Sequence, residues 1–298
     1  MTASTTSSRR RRSPCPTPSR ERSPCQAGLK WPTSFTRKSG AARFVSRARS
    51  DIGPYRSRKD GGLPGLEAPV HRDVIDSVST ALEAHGLLVR GGFNFAAAAQ
   101  APPALSDSPA RAVILVGNAG AGYWPHFQRW RDAQPAVSTD PLDTWCREVI
   151  GAVAARSGAR AISPSDRPFQ PFQQWAMRAE GLRPSPLGIL MHPEYGLWHA
   201  YRGALLFDVE LPFDRIGKSI HLCDACAEKP CLKACPVEAY TEAGFDYRGC
   251  LAFASSVRGG DCREKGCLDR NACPHGAGYR YPAAIQAFHM ASFLRPAM

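Results

Sequence analysis

Residues 221–236 read HLCDACAEKPCLKACP, with Cys223, Cys226, Cys231 and Cys235 spaced as C-x2-C-x4-C-x3-C and followed by Pro236. A second group follows: Cys250, Cys262, Cys267 and Cys273, and Cys273 is again followed by proline in DRNACPHG. Eight of the eleven cysteines therefore lie between residues 223 and 273, with only Cys15, Cys25 and Cys146 outside. From Leu211 onward the chain is short-segmented, polar and dense in thiols, which marks a second module over residues 216–298.

Three chemistries use thiols at such density. A disulfide framework belongs to small secreted chains in oxidising compartments, and this chain has 298 residues and no continuous apolar leader. Structural zinc is the stronger competitor, because four-cysteine zinc sites also use C-x2-C pairs. Two [4Fe-4S] clusters account for more of the pattern: eight thiolates divide into two sets of four, and Cys-Pro closes each run as in bacterial two-cluster proteins. In those proteins the fourth cysteine of each run ligates the other cluster. On that logic one cluster takes Cys223, Cys226, Cys231 and Cys273, and the other takes Cys235, Cys250, Cys262 and Cys267. The gap between Cys226 and Cys231 is two residues longer than in the bacterial run, an insertion centred on Glu228–Pro230, and loop-closure cost rises slowly with length.

Upstream, residues 66–215 mix helical and strand patterns. PVHRDVIDSVSTALEAHG repeats Val74, Ile75, Val78 and Leu82 at helical spacing and stops at Gly86. RAVILVGNAG reads as a buried strand, and its GNAGAG is not G-x-G-x-x-G, so it predicts a conformational turn rather than a phosphate cradle. WPHFQRWRDA follows as a helix. TDPLDTWCREVIGAVAARSG predicts a helix opened by Asp140 and Pro141 and closed by Gly158, with Cys146 as a small buried apolar residue. PFQQWAMRAEGL predicts a further helix, and LGILMHPEYGLWHAYRGALLF two strands around a turn. AAIQAFHMASFL predicts an apolar helix with Ile285, Phe288 and Phe293 inward. The expectation is an α+β domain followed by a 2x[4Fe-4S] ferredoxin-like module.

The net charge of +12 is concentrated at one end, since residues 1–65 carry 15 Lys and Arg against 3 Asp and Glu. That Arg/Ser/Pro-rich tail is expected to be a disordered basic extension. The neutral remainder shows no basic stripe for a nucleic acid backbone, so a nucleic acid partner is not expected. No run of eighteen apolar residues spans a membrane, and reduced thiols without an apolar leader point to the cytoplasm.

The cysteine module, CDACAEKPCLKACPVEAY then YRGCLAF then DCREKGCLDRNACPHG, resembles the C-terminal ferredoxin module of epoxyqueuosine reductase. LMHPEYGLWHAYRGALLF is similar to the H-P-x-(F/Y)-G-x-W stretch shared by that family and by the cobalamin C-type processing proteins. RGGFNFAAA and the DPLDTW helix also look like the trafficking proteins. The resemblance implies a corrinoid-binding domain related to nitroreductases, with cobalamin, or alternatively flavin, near His192, Gly196, Trp198 and Arg202. It departs from the reductases where they carry a catalytic aspartate in a D-S-A-P-like segment. Here the region reads DRPFQPFQQWAM, with Asp166 nearby but outside that motif.

The HPEYGLW stretch has two readings. In one, Gly196 admits a flat ring, Trp198 offers it a face, and His192 and Arg202 donate to its polar arms. In the other, Gly196 is the left-handed residue of a turn, Trp198 is in the core and backbone groups satisfy His192. The expected function is electron transfer from two clusters to a cofactor or small-molecule substrate in the first domain. The alternatives are a cluster-bearing partner of a separate redox protein, or a flavin-dependent reductase.

Overall fold

The computed structural model describes residues 68–96, 101–136, 139–214, 217, 220–241 and 244–295, so the basic tail expected over residues 1–65 lies outside the described residues. Helix α1 (Ala68–Glu83) leads into β1 (Leu88–Asn94), and β2 (Ala112–Ala119) into α2 (Trp124–Asp132). Then come α3 (Pro141–Ser157), β3 (Arg160–Ile162), α4 (Phe172–Glu180), β4 (Arg183–Pro184), β5 (Leu190–Met191) and β6 (His199–Phe207). Helix α3 begins at Pro141 and ends on Gly158 in the left-handed conformation, as its end signals predict.

The central sheet is antiparallel in the order β1-β2-β6-β3. Its middle strand β2 has no accessible side chain from Ala112 through Val116. The reason is that both faces are covered, which removes the usual alternation of apolar and polar residues. Ala112, Ile114 and Val116 pack with α1, α2 and α3, while Val113 and Leu115 pack with Phe172, Trp175 and Ala176 of α4. Each such aliphatic side chain contributes roughly 1.5–3 kcal/mol on burial.

The two strands expected around the HPEYG turn do not form a hairpin. β5 pairs with β4, whereas β6 pairs with β2 and β3, and only a single bridge between His192 and Gly196 closes the turn. The longer strand is drawn away because β2 and β3 offer β6 two apolar neighbours, and two-residue β5 cannot match that.

The C-terminal region carries α5 (Leu222–Ala225), the ribbon β7 (Tyr240–Thr241) with β8 (Gly244–Phe245), α6 (Tyr247–Ser255), α7 (Gly260–Lys265), α8 (Leu268–Ala272) and α9 (Ala283–Phe293). Residues on both sides of position 215 belong to one compact unit. Tyr281 and Ile285 are buried in the main core with Tyr123, Trp145 and Trp198, and Phe288 packs against it. A further apolar cluster joins Leu187, Met191 and Leu197 to Cys223, Cys231 and Cys273.

Candidate functional site

The eight clustered cysteines line two cavities. Cys223, Cys226, Cys231 and Cys273 surround one, and Cys235, Cys250, Cys262 and Cys267 the other. The fourth cysteine of each run thus joins the opposite set. The second cavity holds about 270 Å³ and is mostly apolar, with Tyr240, Phe245, Met290 and Phe293 in its wall beside Asp269 and His289. The first is closed down to about 10 Å³. Among the described residues no three His, Cys, Asp or Glu converge as ligands of one metal ion.

Backbone groups hold the sulfurs. The N–H of Ala239 donates to Cys235 Sγ at 3.5 Å, the N–H of His275 to Cys273, and those of Arg270 and Asp269 to Cys267. Burial pushes the Cys223 thiol up to about 11, and the neighbouring thiols of Cys273 and Cys231 add to that rise. Burial likewise raises Cys250 to about 11, with Cys267, Cys235 and Cys262 contributing. The thiols of each set therefore act on one another, and four thiolates together would need a compensating positive charge.

Two residues organise this region without any signal in the cysteine spacing. Asp269, almost fully buried, accepts from the backbone N–H of Ala234 at 3.1 Å and from that of Cys235, which ties the end of the first run to α8. Burial raises its carboxyl, and the two backbone donors oppose that rise. Lys229, at φ 40°, folds the inserted loop back on itself and donates to the carbonyls of Cys223 and Cys226 at 3.0 and 3.3 Å.

A larger cavity of about 670 Å³ lies between the start of α3 and α9, lined by Leu142, Asp143, Arg202, Phe288, His289 and Ser292 among others. His289 lines both this cavity and the second cysteine cavity. Tyr123 Oη lies 3.1 Å from its Nε2. Burial pushes the imidazole down to about 3, with Arg202 and Arg270 adding to the shift, so it is neutral near pH 7. Arg202 donates from Nε to Asn118 Oδ1 at 2.8 Å and lies over the Tyr123 ring. Asn118, fully buried, donates in turn to Tyr281 Oη at 2.9 Å.

Of the four expected cofactor-binding residues, only Arg202 faces this cavity. Trp198 has no accessible surface: Tyr281 packs edge-on against it and Arg270 covers its ring at 4.5 Å. Gly196, at φ 58°, is approached by the backbone of His275, so the space left by its missing side chain is filled by the chain itself. His192 accepts at Nδ1 from the backbone N–H groups of Glu194 and Tyr195, stacks on Tyr195, and is pushed down to about 4 by burial and by Arg90. In this structure Gly196 and Trp198 thus pack against the chain's own backbone and rings, and backbone groups satisfy His192.

Behind that turn is a buried ion pair outside the sequence reading. Arg90 is paired bidentately with Glu180 at 2.9 and 3.0 Å and lies over the rings of Tyr195 and Tyr201. Tyr201 donates to the same carboxylate. Asp166 sits in a separate cavity of about 150 Å³ with Arg147 and Arg202 in its wall, and it pairs with Arg147 at 3.4 Å.

No family model matches the sequence. No curated protein matches it either. Among solved structures, the α+β chain resembles epoxyqueuosine reductase from Bacillus subtilis, at 14% identity over 72% of this chain and 68% of that one, with a TM-score of 0.43. An epoxyqueuosine reductase solved with a modified tRNA-Tyr stem loop is similar at 14% identity over 72% and 67% of the two chains, TM-score 0.42. The B12-trafficking protein CblC of C. elegans is similar at 15% identity over 76% and 91%, TM-score 0.44. Among the described residues no helix is long and apolar enough to cross a membrane.

Proposed function

We propose that this protein is an iron-sulfur electron-transfer protein, with one [4Fe-4S] cluster held by Cys223, Cys226, Cys231 and Cys273 and another by Cys235, Cys250, Cys262 and Cys267. The observation that carries the reading is the division of the eight thiols into two cavities, four to each. A cube of four irons takes one thiolate at each iron, so its ligands stand round a body rather than a point, which suits sulfurs disposed about a cavity. Donor chemistry fits at both sets. Ready-made room is present at the second, whereas the first has donors closed together.

When bound, such clusters pass single electrons. The chain's own contribution is placement. Apolar Met290 and Phe293 of α9 help wall the second cysteine cavity, and His289 brings the same helix to the wall of the 670 Å³ cavity. That volume lies within the range of small-molecule and cofactor sites. The Arg202 guanidinium in its wall favours an acceptor that becomes more negative on reduction, because the cation interacts more strongly with the reduced form. A corrinoid is the acceptor this reading takes first and a flavin the second.

A different reading is favoured by the enclosure of Gly196 and Trp198: the HPEYGLW stretch secures the cysteine loops, and the protein serves as a carrier to a separate redox partner, with no cofactor of its own beyond the clusters. Anaerobically prepared protein tests both. Iron and acid-labile sulfide of about eight each per chain support the cluster assignment, and zinc in place of iron refutes it. Added hydroxocobalamin should then show altered absorption bands in the wild type and weaker binding in Arg202→Met. Unaltered bands select the carrier reading.

A further inference from the structure

Three buried side-chain atoms among the described residues have no hydrogen-bond partner: Trp198 Nε1, His199 Nδ1 and His275 Nε2. Of these residues only His275 lines a cysteine cavity, the one formed by Cys223, Cys226, Cys231 and Cys273. A sealed polar atom without a partner carries its full desolvation penalty, which a group bound beside it would relieve. The cavity it lines carries the four thiols together with Ser185, Lys229, Met191 and Leu197. His221, which also flanks the cysteine runs, is held by the Pro184 carbonyl and lines neither cavity.

The position of His275 is set by two glycines that close on each other. Its carbonyl lies against Gly196, and the carbonyl of Tyr195 lies against Gly276; a side-chain carbon on either glycine would be 2.6 Å from the facing backbone, at His275 C or at Gly196 N. Its own N–H donates to Cys273 Sγ. The HPEYG turn thereby holds the residue two places beyond Cys273 against the first set.

We infer that His275 Nε2–H donates a hydrogen bond to the sulfur-bearing group held by Cys223, Cys226, Cys231 and Cys273, and so sets the potential of the first centre but not the second. This rests on the cluster reading given above. The imidazole carries its proton on Nε2, with sulfur as acceptor. The bond strengthens as the cluster gains an electron and negative charge, so it raises the first centre's potential. His275 is a positioning residue: it forms no bond to iron and transfers no atom.

The test begins with iron and sulfide content of anaerobic full-length protein. A wild type lacking both sinks the cluster reading and this inference with it. With clusters present, a potentiometric titration followed by electron paramagnetic resonance should show two waves. His275→Phe should move one of them downward, so that the reduced-to-oxidised ratio at fixed potential falls about tenfold, about 59 mV for one electron. His275→Gln, which keeps an N–H, should move it less, and the other wave should stay. Two unmoved waves, or two moved equally, overturn the inference and leave the cluster reading intact. Should His275→Phe fail to load, wild type carrying histidine labelled with 15N in the imidazole ring decides. Pulsed resonance of the reduced first centre should show weak coupling to one ring nitrogen, and its absence overturns the assignment.

Discussion

Replacing Gly196 by alanine tests the interlock between the HPEYG turn and the Cys273 loop. The new methyl carbon would lie 2.6 Å from the His275 carbonyl carbon and 3.0 Å from the Gly276 nitrogen, and closer still to the His275 oxygen. Gly196 also sits at φ 58°, where a residue with a Cβ pays roughly 1–2 kcal/mol. Overpacking against fixed backbone adds roughly 1–3 kcal/mol, so the variant should lose about 2–5 kcal/mol of stability. For a unit of this size that lowers Tm by roughly 4–20 °C. The assay is thermal and denaturant unfolding of the anaerobic full-length protein. Gly276→Ala should cost a similar amount, and the double variant less than the two together, because both strain one contact. Gly151→Ala is the control: its added carbon meets nothing within 4 Å in helix α3, so it should be neutral or stabilising by up to about 1 kcal/mol. A Gly196→Ala protein within about 0.5 kcal/mol of wild type would refute the interlock.

The double variant Cys235→Ser/Cys262→Ser removes two members of one cavity, so about half the iron should remain, whereas pairing run by run would leave none. Glu180→Ala strands the buried Arg90 guanidinium, whose side chain is 2% exposed. It should cost about 3–5 kcal/mol in chemical denaturation, and a loss below 1 kcal/mol would contradict the buried pair. Stability should also fall in acid through histidine. Burial holds His199 and His289 down at about 3, below their ordinary 6.5, so the unfolded chain binds more protons between those values. Their stabilisation is complete above about pH 6.5 and is lost as pH falls toward 3. His289→Phe should flatten part of that slope in a pH series of unfolding midpoints, and an unchanged slope would count against the burial of its imidazole.

Much of the local structure was legible because the cues were local. Asp140-Pro141 and Gly158 bound α3, and the aliphatic run 112–116 forms a strand buried on both faces. The periodic apolar residues Val78 and Leu82 turn inward. The glycine, tryptophan and histidine of HPEYGLW admitted two readings, because the same residues suit a ligand face or a packing turn until the backbone opposite Gly196 is known. Neither Arg90 and Glu180, ninety positions apart, nor Asn118 and Tyr281, 163 apart, carry any sequence signal of their pairing.

The cysteine spacing by itself determined that eight thiols fall into two groups closed by Cys-Pro, since those are properties of neighbouring residues. Tertiary structure decided that α9 packs into the main core, and that His289 borders both the second thiol cavity and the larger cavity. These depend on which distant backbones can approach, and steric exclusion between folded segments sets that only once the chain has packed.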